Sequence, residues 1–157
     1  MNVESFRRCY EGGVTVPEGD TLPRVLGIPE EAFFSRYPQG LRQVAVAWNA
    51  DDRHIEREYS LPFQAEVLPD RSGVIVLEPT RDGSGTIVVV NADGSERYRL
   101  GVPNPTSRPD WSVRRSFLWI ESGNEAVGVV VGVEAGSDFL YELDYDVGRF
   151  GSFRQTK

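Results

Sequence analysis

The stretch Val88-Val89-Val90-Asn91-Ala92-Asp93-Gly94-Ser95 contains the clearest local signal in the sequence. Its three consecutive valines favour a β-strand, because β-branched side chains pack well on a pleated surface. Asn91 suits the first position of a tight turn, and Gly94 can adopt the positive φ angle that follows such a turn. The stretch therefore predicts a β-hairpin with a bulge at Gly94.

Segments of the same character recur along the C-terminal two-thirds of the chain. They are short, rich in Val, Ile and aromatic residues, and separated by turn residues. We expect strands at 43–49, 54–61, 73–78, 85–91, 96–102, 113–121, 126–133 and 138–147. Most connections between them are too short for a crossover helix, which disfavours a parallel sheet. The sequence thus predicts a mainly β fold, an antiparallel meander or sandwich.

Similar turn clusters lie 42 residues before and after this hairpin, at 49–52 and 133–137. Taken literally, this spacing divides the chain into units 32–73, 74–115 and 116–157. A period of this size is typical of the blades of a β-propeller, although generic hairpins of similar length explain it about as well. Three units would also fall short of the roughly four to eight blades of a closed propeller.

The first 31 residues differ in character from the rest. Glycine and proline punctuate them at short intervals, which predicts an irregular N-terminal segment. A short helix is expected over 29–36, because Pro29 suits the first turn and Glu30 and Glu31 complement its positive end. The whole chain, 1–157, has the length of a single domain.

Composition excludes several classes of function. The net charge of −7 and the pI of about 4.8 disfavour binding to nucleic acid or to an anionic membrane. Cys9 and His54 are the only residues of their kinds, so the sequence predicts no disulfide framework, no metal site and no cofactor. No catalytic motif surrounds either residue, which disfavours an enzyme. No apolar stretch has the length of a signal peptide or a membrane span, and we expect a cytoplasmic protein.

The strand expected at 138–147 combines an apolar side with an acidic side. Its odd positions are Phe139, Tyr141, Leu143 and Tyr145. Its even positions include Asp138, Glu142, Asp144 and Asp146. Side chains alternate between the two faces of a sheet, so the four carboxylates should share one face, where they repel each other. Two interpretations remain open: a solvated strand, or a docking face for a basic partner. A smaller acidic face is expected at 54–61.

The proline-rich segment 103–111 is a second candidate for binding a partner. It carries Arg108 and ends at Trp111, and these residue types are common anchors in protein interfaces. The alternative is that Trp111 folds back over the core.

These features favour a protein–protein interaction module, which needs only a stable sheet and a charged face. A small-ligand or glycan-binding β domain and a structural or assembly subunit are the alternatives. The chain also resembles bacterial immunity proteins, the inhibitors encoded beside secreted toxins, in being small, acidic, β-rich and without catalytic motifs. This resemblance implies a basic toxin domain as the partner, because complementary charge speeds encounter. A homo-oligomer is also compatible with the sequence.

Overall fold

The computed structural model describes residues 1–134 and 136–156; Ala135, in the third turn cluster, and Lys157 lie outside the described residues. The described chain forms three four-stranded antiparallel sheets, named sheets A, B and C in chain order. Two short helices, α1 (Leu22–Leu26) and α2 (Glu30–Arg36), precede the third strand. The mainly β class and the helix expected over 29–36 are thereby confirmed.

Sheet A contains four strands in the spatial order β2-β1-β3-β4. Their bounds are β1 (Glu4–Tyr10), β2 (Val14–Pro17), β3 (Gln43–Ala50) and β4 (Arg53–Glu58). The expectation that residues 1–31 are irregular was therefore wrong. Strand β1 is mostly polar and has a single fully buried side chain, Phe6, so it lacks an apolar pattern and is held by pairing with β2 and β3.

Sheet B is a meander in which each strand pairs with the next along the chain. Its strands are β5 (Gln64–Val67), β6 (Gly73–Glu78), β7 (Thr86–Asn91) and β8 (Glu96–Leu100). The β7–β8 turn follows the prediction: Gly94 has a φ of 90° and its N–H donates to the carbonyl of Asn91 at 2.9 Å. The Asn91 N–H donates in turn to the carbonyl of Ser95 at 2.8 Å, which closes the hairpin.

Sheet C is a second meander. Its strands are β9 (Arg115–Ser122), β10 (Val127–Val133), β11 (Ser137–Asp144) and β12 (Arg149–Gln155). Strand β11 ends at Asp144, before the expected end at residue 147. The carboxylate of Asp144 accepts hydrogen bonds from the N–H groups of Asp146 and Val147, and these bonds turn the chain toward β12.

The three sheets are stacked with sheet B in the middle, so its two central strands, β6 and β7, are buried on both faces. One face packs against sheet A through side chains that include Val74, Val76, Val88 and Val90. The other packs against sheet C through Ile75, Ile87 and Val89. This double burial explains why β6 and β7 are uninterrupted apolar runs, which an antiparallel sheet with one solvated face does not require.

A propeller-like repeat is not confirmed. Sheets A, B and C span residues 4–58, 64–100 and 115–155, which do not coincide with the units of 42 residues. The β3–β4 and β7–β8 hairpins each lie at one end of their sheets, whereas the β10–β11 hairpin lies in the centre of sheet C. The period therefore reflects the turn chemistry that any tight hairpin needs rather than a repeated blade.

Two side chains of β8 join sheets B and C. The guanidinium of Arg97 donates hydrogen bonds to the Asn91 side chain at 2.7 Å, to Ser72, and to the backbone carbonyl of Tyr145 at 3.2 Å. The hydroxyl of Tyr98 donates to the same Tyr145 carbonyl at 2.7 Å. The turn between β11 and β12 is thus fastened to the edge of sheet B.

Candidate partner-binding surface

One face of sheet C packs against sheet B, and no helix or sheet of the described chain packs on its other face, here called the outer face. In β11, Tyr141 and Leu143 are buried against sheet B, whereas Glu142 and Asp144 are exposed. The predicted alternation is therefore seen over residues 141–144, whereas Asp138, Phe139 and Leu140 are all half-buried. The outer face displays the carboxylates because the apolar side chains of the same strand supply the core.

The four carboxylates of the predicted acidic stripe differ in their surroundings. Asp138 and Glu142 lie within β11, and Glu142 accepts a hydrogen bond from the hydroxyl of Ser152 at 3.2 Å. Asp144 ends the strand and holds the following turn, as described above. Asp146 is exposed within that turn and lies beyond the end of the strand. The stripe is thus shorter than the sequence suggested.

Strand β12, which the sequence did not predict, adds positive charge beside the stripe. Arg149 is the register partner of Asp144, and Arg154 is the register partner of Leu140. On the other side of β11, Gly128 of β10 lies opposite both Glu142 and Glu121, so Glu121 joins the carboxylates of the outer face. The outer face is therefore rich in acid but includes two arginines along its β12 border.

A β-bulge in β9 places two large apolar side chains on the outer face. Phe117 pairs with Val131 and Trp119 with Val130, so Leu118 is the extra residue. Phe117 is buried in the core, whereas Leu118 and Trp119 are each 39% exposed. A regular strand would turn one of two successive side chains inward, and the bulge prevents this.

Two glycines of β10 accommodate the leucines of the neighbouring strands. A Cβ atom at Gly132 would lie 3.0 Å from the side chain of Leu118. A Cβ atom at Gly128 would lie 2.8 Å from the side chain of Leu140. The leucines therefore lie over the glycine positions, and Val130 between them is only 1% exposed. We name the apolar area formed by the exposed parts of Leu118, Trp119 and Leu140, which cover the buried Val130, the outer patch.

The Arg108–Trp111 loop does not fold back over the core, because Trp111 is 88% exposed. The side-chain amide of Asn104 donates to the carbonyl of Arg108 at 2.8 Å and to the carboxylate of Asp110 at 2.9 Å, which orders the loop. Arg108 also forms an ion pair of 3.4 Å with Glu134, directly after β10. The loop is thus attached to one end of sheet C.

Two clefts meet at Leu118. A cleft of about 320 Å³ lies between sheets B and C and is lined mainly by apolar groups, including Phe63, Pro79 and Phe117. A larger groove of about 840 Å³ is lined by charged residues that include Asp82, Arg114, Arg115, Glu134 and Asp138. Hydrogen bonds from Ser84 and Thr80 lower the pKa of Asp82 to about 2, so this carboxylate is ionised near neutral pH. Leu118 lines both clefts.

Cys9 and His54 both belong to sheet A. Burial and the negative charge of Glu56 raise the pKa of the Cys9 thiol, which is opposite to the activation of a nucleophile. His54 instead contacts Arg7 at 2.9 Å and Glu56 at 3.6 Å. In β4, His54, Glu56 and Glu58 are all exposed, as the smaller acidic face predicted.

Within residues 1–134 and 136–156, no three potential ligands among His, Cys, Asp and Glu are grouped so that they could hold a metal ion. The helices of this part of the chain are also too short or too polar to cross a lipid bilayer.

No protein-family model matches the chain, and no curated protein matches its sequence. Its fold is similar to that of a chain from the structure of Tne2 in complex with Tni2. The TM-score is 0.74, the sequence identity is 18%, and the similarity covers 99% of each chain. At this identity the likeness establishes a shared fold.

Proposed function

We propose that this protein is a non-catalytic interaction module of the immunity type, which binds a basic toxin domain through the outer face of sheet C. The observation that carries the proposal is the character of that face, which is open, rich in carboxylates and supported from behind by a packed core. The fold is also shared with a chain from the complex of Tne2 with Tni2, so a similar chain occurs in a structure of two proteins bound together.

Charge supplies the physical basis for such an inhibitor. The chain carries a net charge of −7, and Glu121, Asp138, Glu142 and Asp144 contribute to one open face. A negative face attracts a positively charged protein over distances of about 10 Å, the screening length near 0.1 M salt. This attraction accelerates encounter and favours one orientation of the two proteins. Occupation of a positively charged substrate cleft would then inhibit the partner.

A charge-reversal experiment tests the proposal. The protein encoded by the adjacent gene serves as the probe, and its binding kinetics are measured at low and at high salt. The Glu121→Lys/Glu142→Lys variant is expected to associate at least tenfold more slowly at low salt, because both carboxylates flank Gly128 on the outer face. Asp144 is left unchanged because it holds the turn between β11 and β12.

The matched control is Glu56→Lys/Glu58→Lys, which changes the net charge equally but on the exposed side of β4. It should retain most of the wild-type association rate. If both double variants slow association equally, net charge and not the outer face controls encounter. If the wild-type protein does not bind the probe, and cells that express the probe are not protected by the wild-type protein, the immunity proposal is wrong.

A further inference from the structure

We infer that the outer patch, and not the acidic stripe, holds the partner once it is bound, by receiving an apolar side chain that the partner flanks with arginine or lysine. This inference rests on the function proposed above and names the chemistry of the partner's contact segment. The carboxylates would then guide the partner to the site, while Leu118, Trp119 and Leu140 would determine how long it stays.

The first support is the cost of the outer patch to the protein itself. Gly128 and Gly132 lie within β10, which has neighbouring strands on both sides, and glycine weakens the interior of a strand. The bulge at Leu118 also interrupts the pairing of β9 with β10. Both features reduce stability, and their shared result is a group of partly exposed apolar side chains on the outer face. A surface of this kind is typical of a binding site.

The second support is the arrangement of charge around the outer patch. Glu121 and Glu142 lie on the two sides of Gly128, and Asp138 lies opposite Gly132. Arg154 lies opposite Leu140 at the β12 border, so three carboxylates and one arginine surround the patch. The indole N–H of Trp119 donates to the carboxylate of Glu121 at 3.2 Å, so its polar edge is satisfied. An apolar centre within a polar rim, with a tryptophan included, is the usual anatomy of an energetically important contact.

The third support concerns which occupant fits. A second copy docked face to face with its twofold axis near Gly128 would bring Glu121 and Glu142 close to the same residues of the first copy, and like charges repel. A partner with basic residues around an apolar side chain would instead pair with the rim. The apolar cleft of about 320 Å³ on the other side of Leu118 extends the surface that such a segment could cover.

Dissociation kinetics test the inference with the same adjacent-gene protein as the probe. The Leu118→Ala/Trp119→Ala variant is expected to bind about 30-fold more weakly, in the range of a truncated interface hot spot. Nearly all of this loss should appear as faster dissociation, while the association rate and its salt dependence stay within about twofold of wild type. A Glu142→Lys variant, which keeps Glu121 as the acceptor of the Trp119 indole N–H, should show the opposite pattern, with slower association and an unchanged dissociation rate.

Phe34→Ala is the matched control, because Phe34 is a large exposed aromatic on α2, away from sheet C. Its dissociation rate should equal that of wild type. A photo-crosslinking residue at position 119, compared with the same residue at position 34, gives a second readout if the double variant folds poorly. Crosslinking to the probe is expected from position 119 alone.

The outcomes separate the two proposals. If the wild-type protein binds the probe and the Leu118→Ala/Trp119→Ala variant dissociates equally slowly, the inference is wrong while the proposed function stands. If the wild-type protein does not bind the probe, both are wrong. If the wild-type protein forms a dimer that the double variant loses, the occupant is a second copy and the assignment to a basic partner is overturned.

Discussion

Replacing Trp48 with phenylalanine tests how much one buried hydrogen bond between sheets A and B contributes to the stability of the protein. Trp48 is fully buried, and its indole N–H donates to the carbonyl of Ala92 at 2.8 Å. Phenylalanine leaves this carbonyl without its donor, which costs about 1–3 kcal/mol. The smaller ring also leaves roughly 40 Å³ empty, which at about 24 cal/mol per Å³ adds about 1 kcal/mol. We therefore expect the free energy of unfolding to fall by about 3 kcal/mol.

The assay is equilibrium unfolding in guanidinium chloride followed by circular dichroism, because the substitution alters tryptophan fluorescence. Thermal unfolding should show a decrease of roughly 6–12 °C in Tm. Trp111→Phe is the matched control: the same change at an exposed site should alter the free energy by less than about 0.5 kcal/mol. If Trp48→Phe is as stable as wild type, the Ala92 carbonyl finds another partner and the reasoning fails.

Three further predictions concern the stack of sheets. Gly73→Ala should destabilise the protein by about 3 kcal/mol or more in urea unfolding, because the added Cβ atom would overlap the backbone oxygen of Val90. An unchanged urea midpoint would contradict this prediction. Arg97→Met should cost about 2 kcal/mol by the same assay, because it removes the bonds between β8 and the turn before β12; a smaller loss than 0.5 kcal/mol would refute the role of this clamp. Burial raises the pKa of Tyr98 to about 12, so an ultraviolet pH titration of Tyr98→Phe should lack one late-titrating phenol. Since the folded pKa lies above the unfolded value of about 10, stability should fall as the pH rises from about 10 to 12, and less so in this variant.

The sequence predicted those strands whose side chains follow an apolar pattern. Strands β6, β7 and β10 are nearly continuous apolar runs, and β11 alternates except at Leu140, so their positions were found within a few residues. Strands β1, β2, β5 and β12 were not predicted. Most side chains of β1 and β12 are polar or exposed, and β2 and β5 have four residues each, so tertiary pairing rather than local composition holds these strands in place. The stacking of three sheets depends on contacts between distant residues, which no local pattern contains.

The same distinction applies to the candidate surface. The alternation of β11 predicted which carboxylates face outward, because side-chain direction follows directly from strand periodicity. The outer patch was missed because it depends on a bulge at Leu118. A bulge changes the direction of the side chains that follow it and leaves no mark on the amino-acid composition of the strand. Gly128 and Gly132 lie within the strand predicted at 126–133. Their alternate spacing within it is the signal that could have indicated a surface shaped by side chains from neighbouring strands.

The position of sheet B between two other sheets also determines how the molecule opens. Amide protons of β6 and β7 are shielded on both faces and paired on both edges, so they should exchange with deuterated solvent only when the whole chain unfolds. Strand β12 is an edge strand with mostly exposed side chains, and its outward amides can exchange after local opening. The two arginines beside the acidic stripe therefore belong to the part of the sheet that opens most readily. The outer face can adapt along this border while the layer beneath it remains closed.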